Sequence, residues 1–164
     1  SPESEERGKG TTFTVTIPVL AVSADTSAVR TPFGDTFLHR DRLRGLEIVL
    51  VDDEPESRKM VAAVLRAAGA NVLALDSAGA ALEAIDQNRP HLVITDIAMP
   101  EMDGYTFIRT LRGREYGHEL KVAALSAFPA RQDDTSGFDA YLSKPIDPFH
   151  LVDEVARVAG TAIA

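Results

Sequence analysis

Between residues 46 and 160, five short apolar runs alternate with stretches of helical periodicity. That order restricts the fold more than any other feature of the chain. Glu47-Ile48-Val49-Leu50-Val51 reads as a buried strand from its β-branched content. Pro55 suits a first helical turn, and Met60, Val61, Val64, Leu65 and Ala68 recur at helical spacing up to Gly69. Asn71-Val72-Leu73-Ala74-Leu75 is a second strand, followed by a helix with Ser77 as N-cap that carries Ala81, Leu82 and Ile85. Residues 90–95 form a third strand. A loop with Pro100 and Gly104 leads to a helix bearing Phe107, Ile108 and Leu111. Residues 122–125 and 140–142 are the fourth and fifth strands, and Phe149, Leu151, Val152, Val155 and Val158 mark a closing helix. Strands alternating with helices imply βαβ units, hence an α/β fold with a doubly wound parallel sheet. Continuous apolar strands are expected where helices cover both sheet faces.

In such sheets a functional site lies at the carboxyl ends of the strands, near the point where strand order reverses. Polar residues of special type follow the strands here. Asp52-Asp53-Glu54 follows the first, Asp96 the third, Ser126 the fourth and Lys144 the fifth. Three converging carboxylates repel unless a cation sits among them. A hard divalent ion such as Mg²⁺ takes oxygen ligands and keeps several waters. Lys144 adds a compact positive donor for phosphate oxygens, and Ser126 a hydroxyl. Metal-binding acids, a carboxylate nucleophile, a lysine and a hydroxyl together match phosphoryl transfer, which rests on positioning and charge neutralisation.

The remaining composition agrees. The net charge of −8 and pI of about 4.9 argue against a nucleic-acid surface. With no cysteine, disulfides, thiolate catalysis and cysteine-ligated metals are excluded. No apolar run approaches the roughly 18 residues of a membrane helix, and no signal peptide opens the chain. A cytoplasmic setting is therefore expected, with any anchor lying on a longer parent. The histidines at 39, 91, 118 and 150 lack metal-ligand spacing. His39-Arg40-Asp41 has no accompanying glycine-rich loop or strand lysine, and Gly8-Lys9-Gly10-Thr11-Thr12 has the wrong order for a phosphate-binding loop.

Residues 46–160 resemble the receiver domain of bacterial response regulators, the CheY-like family. The motifs that carry the resemblance are Val51-Asp52-Asp53-Glu54, the stretch from Asp96 to Gly104 (DIAMPEMDG), Leu125-Ser126-Ala127, and Tyr141-Leu142-Ser143-Lys144-Pro145. The resemblance implies a five-stranded flavodoxin-like sheet in order 2-1-3-4-5. It implies Asp96 as phosphoacceptor, Asp53 as a direct Mg²⁺ ligand, Asp52 as a ligand mainly through water, and the Ala98 carbonyl as another. Lys144 would contact the phosphoryl group, and Ser126 would bond to it and shift on activation while Tyr141 swings inward. Ala98 and Phe128, two residues after Asp96 and Ser126, would flank the path of hydrolytic water. Both are apolar, so slow self-dephosphorylation is expected.

The stretch Gly8 to Pro18, with its alternating Thr and apolar residues, is similar to the last strand of the ATP-binding domain of sensor histidine kinases. The expected organisation is a kinase remnant with one short extra strand over 1–20, a linker over 21–45 and a receiver over 46–160. The chain then looks like the C-terminal piece of a hybrid kinase. It would catalyse only its own phosphorylation and dephosphorylation, and the parent would be a histidine kinase. Its partners would be a phosphohistidine donor, in the kinase core of the same protein or on a partner, and a histidine phosphotransfer protein; it would relay the phosphoryl group or regulate its own kinase. The contrasting reading is a receiver-like adaptor that binds without phosphorylation. Between Phe128 and Gly137 the chain is about one helical turn shorter than receivers usually are, which weakens the expectation of an output face there.

Overall fold

In this computed structural model the described residues are 41–128 and 137–160. The strand and linker expected within residues 1–40, and the shortened segment at 129–136, lie outside them. Nine elements follow in order: β1 (Glu47–Val51), α1 (Pro55–Ala67), β2 (Asn71–Leu75), α2 (Ala78–Gln87), β3 (Leu92–Asp96), α3 (Gly104–Arg112), β4 (Lys121–Ser126), β5 (Ala140–Ser143) and α4 (Pro148–Ala159). All five strands run parallel in the order β2-β1-β3-β4-β5. The chain thus reverses direction across the sheet between β1 and β3, which places a crevice above the carboxyl ends of these two strands.

Alternation along the strands sorts side chains into two cores. Ile48 and Leu50 join α1 and α4 on one face, with Val61, Leu65, Leu151 and Val155. Val49 and Val51 join α2 and α3 on the other, with Leu82, Ile85, Phe107 and Leu111. The helices begin where the sequence has capping groups. Ser77, Asp103 and Asp147 side chains accept from the backbone N–H three residues on, and prolines open α1 and α4.

Three details differ from the sequence reading. The third, fourth and fifth strands reach one residue further at their carboxyl ends than expected, because the ladder continues through the pairs Asp96–Leu125 and Ser126–Ser143, and the third begins at Leu92 instead of Pro90. Asp96 and Ser126 therefore end strands instead of following them. Secondly, β2, at one edge of the sheet, is only partly covered, and Leu73 is 49% exposed. Thirdly, the packed body begins upstream of residue 46. Leu43 is fully buried in the α1–α4 core, its N–H donates to the Ala68 carbonyl at 2.8 Å, and Arg42 pairs with Asp153 at 2.7 Å.

Candidate active site

Four sequence-expected groups meet at the carboxyl edge of the sheet. Asp52 follows β1 and is fully buried, and Asp96 ends β3 and is 6% exposed. Asp53 beside them is half-buried. One carboxylate oxygen from each of the three lies within 4.8 Å of the others. Lys144 reaches over from the end of β5, its Nζ 3.4 Å from Asp96 Oδ2 and 3.6 Å from Asp52 Oδ2. One lysine thus pairs with two of the three crowded carboxylates. Burial pushes the Asp96 carboxyl above its ordinary range, and the Asp52 charge adds to this, against the opposing pull of Lys144 and the Ala98 N–H. Crowded acids with a single lysine are the donor set that a hard divalent cation completes, so these residues fit Mg²⁺.

The two buried acids are held differently. Asp96 Oδ1 accepts from the Ala98 N–H at 3.3 Å. Its loop is drawn tight beneath it: the Ile97 N–H donates to Leu125, and the Gly104 N–H donates to the Ile97 carbonyl at 2.9 Å. A Cβ on Gly104 would lie 2.8 Å from both the Asp96 carbonyl oxygen and Ile97 Cα, so only glycine allows α3 to start this close to the acceptor. Glu101 in the same loop takes a left-handed backbone, φ 66°.

Every polar atom of Asp52 has a partner. Its N–H donates to Leu75 and its carbonyl accepts from Arg58 at 2.7 Å. Its Oδ1 accepts from the Glu54 N–H at 3.0 Å and its Oδ2 from the Ser57 hydroxyl at 2.5 Å. Sequence reading missed Ser57, Arg58 and the close approach of Gly104. The signal for the first two was positional: Pro55 starts α1, which sets Ser57 and Arg58 in its first turn, directly after the acid pair.

Ser126 and Tyr141 stand nearby on separate strands. Ser126 is half-buried, its Oγ accepting from the Phe128 N–H at 3.1 Å. Tyr141 is half-buried with its ring edge-on to Phe138 at 5.5 Å, and Phe138 meets Tyr105 of α3 at 6.0 Å. Phe128 is 78% exposed and Ala98 is also exposed. The peptide between Lys144 and Pro145 is cis.

A family model described as the response regulator receiver domain matches residues 48–156. The chain belongs to that family. The match covers most of the described residues and includes every site residue named above. Response regulator Rre1 of Synechocystis sp. is 41% identical over 113 residues, which cover 65% of this chain and 48% of that protein. The sensor histidine kinase GacS of Pseudomonas protegens is 35% identical over 127 residues, covering 73% of this chain and 14% of GacS. An uncharacterised 14.6 kDa protein of Leptolyngbya boryana is 38% identical over 115 residues, covering 67% of this chain and 87% of that one. The chain therefore spans about half of Rre1 and a small part of GacS. Among solved structures, the receiver domain of sensor histidine kinase PA1611 from Pseudomonas aeruginosa matches with TM-score 0.65 and 30% identity, covering 71% of this chain and 99% of that one. That receiver has magnesium coordinated in its active-site cleft. The fold is accordingly the CheY-like form of the flavodoxin fold, and the chain carries a receiver domain of two-component signalling. No helix among the described residues is long and apolar enough to cross a membrane.

Proposed function

We propose that this receiver takes a phosphoryl group from a phosphohistidine onto Asp96, in the cytoplasm, as part of a hybrid histidine kinase, and passes it to a histidine phosphotransfer protein. The observation that carries the reading is the Lys144 ammonium between Asp96 and Asp52, above three carboxylate oxygens that lie within 4.8 Å of one another. An Asp96 carboxylate oxygen attacks phosphorus. The P–O bond forms as the P–N bond breaks, and the departing imidazole nitrogen keeps the electron pair and takes a proton from solvent. Lys144 offsets charge on the incoming phosphoryl oxygens. Asp53 and the Ala98 carbonyl are the proposed direct ligands of Mg²⁺ with Asp96, and Asp52 acts mainly through water. The ion, when bound, supplies charge neutralisation at the transferring group.

Ser126 then turns to the acyl phosphate, exchanging the Phe128 N–H for a phosphoryl oxygen, and Tyr141 moves into the space it leaves. Ala98 and Phe128 offer no polar group to orient a hydrolytic water, so the acyl phosphate is long-lived. The hybrid-kinase setting rests on the likeness of residues 8–18 to the end of a kinase ATP-binding domain, and on the match to GacS, whose name is that of a sensor kinase. A phosphate-independent adaptor would leave the paired lysine and acids without a purpose.

The test is intact mass after incubation with Mg²⁺ and acetyl phosphate, or with a phosphohistidine donor. The expected result is a gain of one phosphoryl group that Asp96→Ala abolishes. No gain in the parent would favour the adaptor. In the same assay Phe128→Glu should shorten the lifetime of the gained mass, and an unchanged or longer lifetime would refute the role given to Phe128.

A further inference from the structure

Ser57 lies in the first turn of α1, and no step of the reaction above uses it. Its hydroxyl donates to Asp52 Oδ2 at 2.5 Å, a short contact that suits an O–H on an ionised carboxylate. Asp52 is fully buried, so neither oxygen is oriented by bulk water. The neighbouring residue Arg58 holds the other end of the same residue, its guanidinium donating to the Asp52 carbonyl at 2.7 Å. Consecutive residues of one helix turn thus fix both the backbone and the side chain of one acid.

The Oδ2 atom that Ser57 holds is also the one nearest Lys144, at 3.6 Å. Lys144 has a second choice, Asp96 Oδ2, at 3.4 Å. With one hydroxyl already on Asp52 Oδ2, the ammonium has less to gain there, and it remains shared with Asp96. Among the described residues no comparable tether holds Asp53. The centre therefore has one pinned acid, Asp52, and one adjustable acid, Asp53.

We infer that Ser57 is a positioning residue of the cation site: its hydroxyl sets the Asp52 carboxylate in the orientation that receives Mg²⁺ and its waters, and keeps Lys144 available to Asp96. This inference rests on the receiver reading given above. Hydrogen bonds from the protein to metal-binding carboxylates orient them, and losing one commonly weakens metal affinity by roughly 10–100-fold. Ser57 supplies a hydroxyl, so threonine can replace it at the same backbone position and alanine cannot.

The experiment measures Mg²⁺ affinity by calorimetry for the parent chain, Ser57→Ala and Ser57→Thr, with metal-free thermal unfolding of each. Ser57→Ala should bind Mg²⁺ about tenfold more weakly. Its metal-free Tm should stay within a few degrees of the parent, and Ser57→Thr should restore most of the affinity. Phosphoryl uptake at saturating Mg²⁺ should fall less than uptake at low Mg²⁺. Unchanged affinity in Ser57→Ala overturns the inference, as does a loss that Ser57→Thr shares in full. A parent chain that takes up no Mg²⁺ overturns the proposed Mg²⁺-dependent phosphoryl transfer, and the tether with it.

Discussion

The two ends of the sheet treat their polar groups in opposite ways. At the amino end, where β1, β2 and β3 begin, Glu47 finds partners close by. Its carboxylate accepts from the Asn71 amide at 2.9 Å, its N–H donates to His91 Nδ1 at 2.9 Å, and its carbonyl accepts from the His91 N–H. Leu43 and Leu46 close the core beneath it. At the carboxyl end, just past the other end of β1, three carboxylates crowd together and two of them share one lysine. The first end contributes stability by ordinary pairing and burial. The second gathers like charge that only an added cation relieves, so its chemistry costs stability when metal-free.

Mutation can separate the ends. The largest expected effect is at the amino end. Leu43→Ala removes a fully buried side chain and should destabilise the protein by about 3 kcal/mol in urea unfolding. Under native conditions it should leave Mg²⁺ affinity and Asp96 phosphorylation within about twofold. Loss of the site together with stability would break the comparison, because it would mean the ends do not act separately. Gly104→Ala comes next. The added Cβ meets backbone atoms of Asp96 and Ile97, which cannot rotate away, so a cost of about 2 kcal/mol is expected. Here the site should fail as well, since the acceptor loop must shift, and both Mg²⁺ affinity and phosphoryl uptake should drop. A variant with full uptake and lower stability would show that the acceptor tolerates movement.

Much of this contrast was legible in the sequence, but unequally. The strands, their parallel sense and the strand-end acids, lysine and serine could be read because each rests on local pattern: β-branched runs, helical spacing, and polar residues where runs stop; the strand order came from the family resemblance. Asp52, Asp53, Asp96 and Lys144 converge as the topology requires. Ser126 and Tyr141 are in place on β4 and β5. What sequence could not carry was distance across the fold. Leu43 sits among residues that look like a linker, and only the packing of α1 against α4 makes it core. Ser57 is an unremarkable helix serine until Asp52 is seen 2.5 Å away. Gly104 looked like a turn residue, whereas its reason is the approach of α3 to the Asp96 backbone. The exposure of Leu73 was not legible because periodicity does not reveal which strand is at an edge.

The smallest effect sharpens the comparison by reversing its sign. Burial raises the Asp96 carboxyl above its ordinary 3.8, so over the range just above that value the folded chain binds a proton that the unfolded chain has released. Stability from this group is present at lower pH and is lost as pH rises through the folded value. At neutral pH the charged, metal-free Asp96 is thus a cost to the fold. Asp96→Asn keeps the shape and removes the charge, so the metal-free variant should be more stable than the parent by on the order of 1 kcal/mol at neutral pH. That advantage should shrink as pH falls toward the ordinary carboxylate range, where the parent becomes neutral too. Saturating Mg²⁺ should also shrink it, because the ion binds the folded parent and not the unfolded chain. Thermal unfolding across pH, with and without Mg²⁺, reads all three. An advantage that stays constant with pH, or that grows on acidification, would mean that Asp96 is settled by Lys144 as fully as Glu47 is by its own neighbours, and the two ends would no longer differ in kind.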